Sequence, residues 1–216
     1  MVIPDLSPLW ISLKVSLLAT LSTVGFGTIA AYKSYRYHGR GRSLIEGILV
    51  LPLVLPPTVV GFILLMLLGK NGAIGQFLAQ WNITLIFTWY AAVLAAAVIA
   101  FPLIYRAALG AFEQVDRVLL DAARVEGASE WAVFWYVALP LALPGIIAGT
   151  VLAFARALGE FGATLMLAGN IPGQTQTVPM AIYFAVEAGA TQEAWFWAIV
   201  IIGVSLVGVV AIDRWK

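Results

Sequence analysis

Apolar residues dominate this chain in long uninterrupted runs, and polar residues gather in the short segments between them. A bilayer core about 30 Å thick needs roughly 20 apolar residues in a helix rising 1.5 Å per residue. Runs at residues 9–31, 44–68, 84–105 and 137–158 meet that length plainly, and 195–212 meets it narrowly. The alternating pattern of about ten residues expected of a membrane barrel is missing, and single strands in lipid would leave backbone groups unpaired. The pattern therefore predicts an all-α integral membrane protein of about five transmembrane helices, with residues 1–216 forming a single transmembrane domain.

Composition strengthens this. Hydrophobic residues make up 62% and charged residues 11%, against roughly 45–50% and about 25% in soluble domains. A net charge of +1 gives no electrostatic reason to expect nucleic acid as a partner; membrane lipid is the expected surrounding. The chain has no cysteine, so disulfide, thiolate-metal and thiol redox chemistry are excluded. Its one histidine, His38, sits among arginines in a polar loop, where a solvated role is expected.

Orientation follows from where the basic residues fall. Lys33, Arg36, Arg40 and Arg42 crowd the first connection with no acid among them, which marks it as cytoplasmic. The N-terminus is then outside, 69–83 and 159–194 are outside, 106–130 is inside, and the C-terminus is cytoplasmic. A cleaved signal peptide would carry its positive charge before its apolar run; here the charge follows, so the first span is expected to be retained. Within the spans, Pro52 and Pro56-Pro57-Thr58 interrupt the second, because proline lacks an N–H and clashes with the preceding turn. Broken helices at membrane depth are tolerated mainly where they are buried in protein or line a cavity. The alanine-rich stretch 91–97 reads instead as a close-packing helix face.

The polar segment 113–132 is the most informative. Val115, Val118, Leu119, Ala122 and Val125 recur at helical spacing, and Glu113, Arg117 and Asp121 follow one another at four-residue intervals, which supports a helix on the cytoplasmic face. Asp121-Ala122-Ala123, then Gly127, then Val137-Ala138-Leu139-Pro140 resembles the coupling signature of ABC importer permeases, Glu-Ala-Ala, Gly, Ile-x-Leu-Pro. Two conservative departures, Asp for Glu and Val for Ile, keep its chemical character. Small Ala122 and Ala123 suit a helix seated in a partner's groove, and Gly127 suits the turn that ends it.

The resemblance covers nearly the whole chain. Residues 51–61 and 155–170, with Ile171-Pro172-Gly173 and Thr175-Gln176-Thr177, are similar to permease subunits of molybdate or tungstate importers. Sulfate permeases, the alternative, are similar around 155–162 but diverge at Ala163-Thr164-Leu165-Met166. What this resemblance implies is a type I ABC importer-like homodimer. Each chain would dock an ATPase subunit through Asp121, Ala122, Ala123, Gly127, Leu139 and Pro140, and would receive oxyanion from an external binding protein. Pro57, Thr58, Arg156, Glu160, Thr164 and Asn170 are the candidate path or gate residues. Arg156 and Glu160 are four apart, either a salt bridge holding an outer gate or a direct oxyanion contact.

The chain itself is not expected to be an enzyme or to bind a cofactor; ATP and Mg would sit on the partner ATPase. Gly69-Lys70 is followed by Asn71 and lacks the upstream glycine of a phosphate-cradling loop. An ion-coupled secondary carrier, the rival class, would need an inverted repeat and mid-membrane acids. Glu46 falls instead near the cytoplasmic interface and Glu160 near the outer one.

Overall fold

A computed structural model describes residues 5–213, with side chains through Val207. Every regular element among them is helical. Helix α1 spans Ser7–Arg36, α2 Arg42–Val54, α3 Pro57–Leu68, α4 Ala73–Ala79 and α5 Trp89–Glu113. After them come α6 (Arg117–Val125) and α7 (Glu130–Val133); α7 continues through the wide turns of Phe134–Ala138 into α8 (Leu139–Leu158). The chain ends with α9 (Gly162–Ala168), α10 (Val178–Glu187) and α11 (Thr191–Asp213).

Three elements are long and apolar enough to cross a membrane unbroken: α1, α5 and the α7–α8 rod from Glu130 to Leu158. The second expected span is a bent pair, α2 and α3, whose axes differ by 111°. The fifth, α11, is a helix of 23 residues whose fully described part, Thr191–Val207, is shorter than a straight crossing. The expectation of about five spans thus resolves into three straight helices, one broken one and α11.

Local chemistry explains the shifted boundaries. The third span starts at Trp89 rather than at 84, because Thr88 is its N-cap, its hydroxyl accepting the Ala91 N–H at 3.3 Å. Phe87 just before it has φ +60 and cannot continue a helix. The fourth starts seven residues before 137, at Glu130. Pro52 is accommodated inside α2; the break comes at Leu55 and Pro56, both in extended conformation. Pro140 supplies no N–H for the carbonyl of Tyr136, and the chain widens there, Leu139 N–H bonding to Phe134 C=O five residues back.

The core is α5 held between α1 and α8. Ala91, Ala92, Ala95, Ala96 and Ala100 are fully buried, so the alanine stretch is a packing face. Further along α5, Ala107 and Ala111 meet glycines of α8. A Cβ at Gly145 would lie 2.7 Å from Ala111 Cβ, and one at Gly149 would collide with Ala107 Cβ. Without a hydrophobic driving force between helices in lipid, such close backbone approach supplies the dispersion contact that holds them.

This predicts that Gly149→Leu, which overpacks the α5–α8 seam, destabilises the protein by ~1–3 kcal/mol. Thermal unfolding in detergent should show the loss, and Gly203→Leu, at a position with nothing within 4 Å of a new Cβ, should not.

Candidate functional site

Two clusters stand at opposite ends of the core. The first surrounds α6. Asp116 caps its start, Oδ1 accepting the Val118 N–H at 2.9 Å. Its end is a Schellman motif: Gly127 has φ +90, its N–H bonds Arg124 C=O at 3.0 Å, and Ala128 N–H reaches back to Ala123 C=O at 3.0 Å. Only glycine enters that left-handed region without strain. Ser129 then caps α7 by accepting the Ala132 N–H at 3.3 Å.

The helix is anchored by one side chain and offers the rest outward. Leu120 is 2% exposed, whereas Val118 is 68% and Val125 88% exposed. Asp121 and Ala122 are exposed and Ala123 is half-buried, so the Asp-Ala-Ala run sits beside an open apolar face. Leu139 and Pro140 are not part of it; they belong to α8, at the widened turn that joins α7 to the membrane rod.

A relay of charges ties α6 to the spans. Arg124 bonds Asp121 at 2.6 Å and Glu130 at 3.1 Å, and Glu130 in turn meets Arg36 at the end of α1, 3.0 Å away. Bonding to Glu130 and to Asp121 raises the Arg124 pKa above its ordinary value. A second relay, Arg106–Glu46–Arg42–Glu113, joins the start of α2 to the end of α5 at 3.8, 2.6 and 2.8 Å. Exposed pairs of this kind contribute little stability, about 0–1 kcal/mol each; their effect is positional. Beneath them Tyr32, Phe112 and Phe134 form an aromatic cluster, with ring centres 5.3 and 4.7 Å from Tyr32.

The second cluster lies where α3 crosses α9. A Cβ on Gly61 would come within 2.7 Å of Ala163 Cα, and one on Gly162 within 3.1 Å of Thr58 Cγ2 and 3.4 Å of Pro57 Cβ. Pro57 and Thr58 are thereby brought against the segment that carries Glu160 and Thr164. Glu160 is 2% exposed; its Oε1 accepts the Ala163 N–H at 2.8 Å, and Oε2 lies 2.8 Å from Arg156 Nη1. That contact is an ion pair by distance without hydrogen-bond alignment. Arg156 keeps an exposed side, whereas Glu160 turns inward. Thr58 is exposed. Among the described residues, the buried Thr164 hydroxyl and the buried Asn170 Oδ1 find no partner.

Several of these residues carried no functional reading in the sequence. Asp116 had a legible signal, an acid just before a helical apolar run. The Arg36–Glu130 pair had none, since nothing local relates residues so far apart. Gly61 could be recognised only once α9 was known to lie on it.

A helical membrane unit with a rigidly mounted, outward-facing helix at one end and a crossed pair of broken helices at the other has the form of a transporter's membrane subunit. Residues 23–215 match the family model described as binding-protein-dependent transport system inner membrane component, and the chain belongs to that family. It is 47% identical to the molybdenum transport system permease protein ModB of Escherichia coli (strain K12) over 98% of this chain and 93% of that protein. It is 45% identical to the Haemophilus influenzae protein of the same description, covering 88% and 83%. Among solved structures, the MetNI methionine ABC transporter in inward-facing conformations superposes with a TM-score of 0.73 at 17% identity, over 96% of this chain and 92% of that one. The shared fold is that of an ABC importer permease.

Arg156→Ala is expected to destabilise the protein by ~3 kcal/mol, because it strands a buried carboxylate. The double variant Arg156→Ala/Glu160→Gln should recover most of that in thermal unfolding. No recovery would mean that the pair is not coupled.

Proposed function

We propose that this chain is the membrane-spanning subunit of an ATP-driven importer for molybdate or tungstate. The observation that carries the coupling half of this reading is α6: an exposed apolar face of Val118, Leu119 and Val125 beside Asp121 and Ala122, with Ala123 half-buried at its edge, closed by Gly127 and braced to α1 through Arg124, Glu130 and Arg36. Such a helix seated in a groove on a cytoplasmic ATPase passes on rigid-body movement rather than absorbing it. The cargo half is supported by the substrate named for relatives 45–47% identical over most of their length.

ATP and Mg belong to the ATPase. Two copies of the chain form the conduit, and a binding protein delivers oxyanion to its outer mouth. There the exposed Thr58 hydroxyl and the outward side of Arg156 offer donors that pass an anion on without holding it. The ion pair of Arg156 with buried Glu160 favours a gate-bracing role, with Thr164 and Asn170 behind it rather than on the open path. Leu139 and Pro140 act at the joint between the docking segment and α8.

Co-purified with its ATPase and binding protein in vesicles, the wild-type chain should hydrolyse ATP faster when molybdate-loaded binding protein is supplied, and sulfate should stimulate less. Ala123→Trp should insert and dimerise normally yet lose that stimulation by tenfold or more, the consequence of losing only ~1.4 kcal/mol of coupling. Full stimulation in Ala123→Trp would remove α6 from the interface.

The orientation rests on the basic first connection and on alternation through the spans. Without native cysteine, Ser34→Cys, Asn71→Cys, Ser129→Cys and Gln174→Cys can be labelled singly. A membrane-impermeant thiol reagent applied to intact cells should modify positions 71 and 174 and spare 34 and 129. Labelling of 129 in an active protein would overturn the docking assignment.

A further inference from the structure

A groove of about 770 Å³ runs along the cytoplasmic half of α1 where it faces α7 and the start of α8. Its wall is apolar, formed by Gly25, Ile29, Leu143 and Ile146, and Ile29 and Leu143 stay roughly half exposed. Its rim is of another character: Lys33 and Arg36 on α1 face Trp131 and Trp135 across it. Both indoles are open, at 71% and 54%. Glu130 is the one acid on this rim, and it is shared between Arg36 and Arg124. Lys33 forms no ion pair among the described residues, so the rim's unmatched charge is positive.

We infer that this groove is a binding site for an anionic phospholipid of the cytoplasmic leaflet, with its phosphate on Lys33 and Arg36 and an acyl chain along the apolar wall. The two halves of the site require the two halves of that molecule. A free phosphate would have no use for a wall of leucine and isoleucine, and a neutral lipid would leave Lys33 unmatched. The anionic inner leaflet concentrates such lipids at basic pockets between transmembrane helices, and tryptophans prefer the headgroup level, where the ring is apolar and the N–H is wet. A lipid seated here touches α1 and the segment that follows α6, so it stiffens the same joint as the Arg36–Glu130 pair. The inference rests on the proposed orientation, with the Lys33 end of α1 at the cytoplasmic leaflet, and is independent of the cargo.

The test uses the full chain in phosphatidylcholine vesicles doped with phosphatidylglycerol carrying brominated acyl chains, which quench nearby tryptophans. Quenching should half-saturate at a mole fraction about fivefold lower for brominated phosphatidylglycerol than for brominated phosphatidylcholine, the ratio one basic residue near the surface supplies. Lys33→Gln should bring the two lipids to parity, and Lys70→Gln, in another loop, should leave the preference intact. Gly25→Leu adds a side chain where nothing lies within 4 Å, so it should fold, fill the wall and weaken quenching by both lipids. Equal quenching by the two lipids in the wild type, an undiminished preference in Lys33→Gln, or undiminished quenching in Gly25→Leu would overturn the site. Loss of the preference on adding inorganic phosphate at matched ionic strength would assign the rim to a free anion and overturn the lipid.

Discussion

Everything in this fold depends on how closely α5 can approach α1 and α8. In lipid the apolar side chains have as good a solvent outside as inside, so helix association has to come from dispersion and shape. Alanines on α5 and glycines on α8 remove the side-chain layer that would keep the backbones apart. The consequence is a rod-like core with little room to deform. Two sets of attachments hang from it, α6 at one end and the crossed α3–α9 pair at the other, and each inherits its position from that seam.

The attachments are built differently because their surroundings differ. At the α6 end the ion pairs are exposed, and the helix is fixed by an N-cap, a Schellman turn and a chain of those pairs, each weak by itself. Together they fix direction more than they add stability. At the α3–α9 end the carboxylate of Glu160 is nearly sealed from solvent. One oxygen is held by a backbone N–H and the other faces a guanidinium, because a buried charge is tolerated only when partners surround it.

The sequence made the straight spans legible, since each is a long apolar run, and it made α6 legible because its apolar positions keep a helical period. It also located the fault in the second span at Pro56-Pro57, though not the 111° change of direction, because a proline marks a break without specifying where the next helix goes. Boundaries were missed where single residues decide them: Thr88 as a cap and Phe87 with positive φ delayed α5 by five residues relative to hydropathy. Thr164 looked like a lining donor from its residue type, but its register on α9 buries it. The Arg36–Glu130 bond was beyond reach, because it depends on the α1–α8 alignment that only the small-residue seam determines.

Prolines in this chain separate stiffness from compliance. Pro102 in α5 and Pro52 in α2 are absorbed without a break, and neither marks a joint. Pro56 and Pro140 do. The first parts α2 from α3, and the second follows the widened turns at 134–138, just where α7 runs into α8. The widened turns bond five residues back where an α-turn bonds four, the form a π-bulge takes inside an α-helix. The Arg124–Glu130–Arg36 relay ties the segment ahead of Pro140 directly to α1, so α6 is fixed to the helical core by a route that does not pass through that joint.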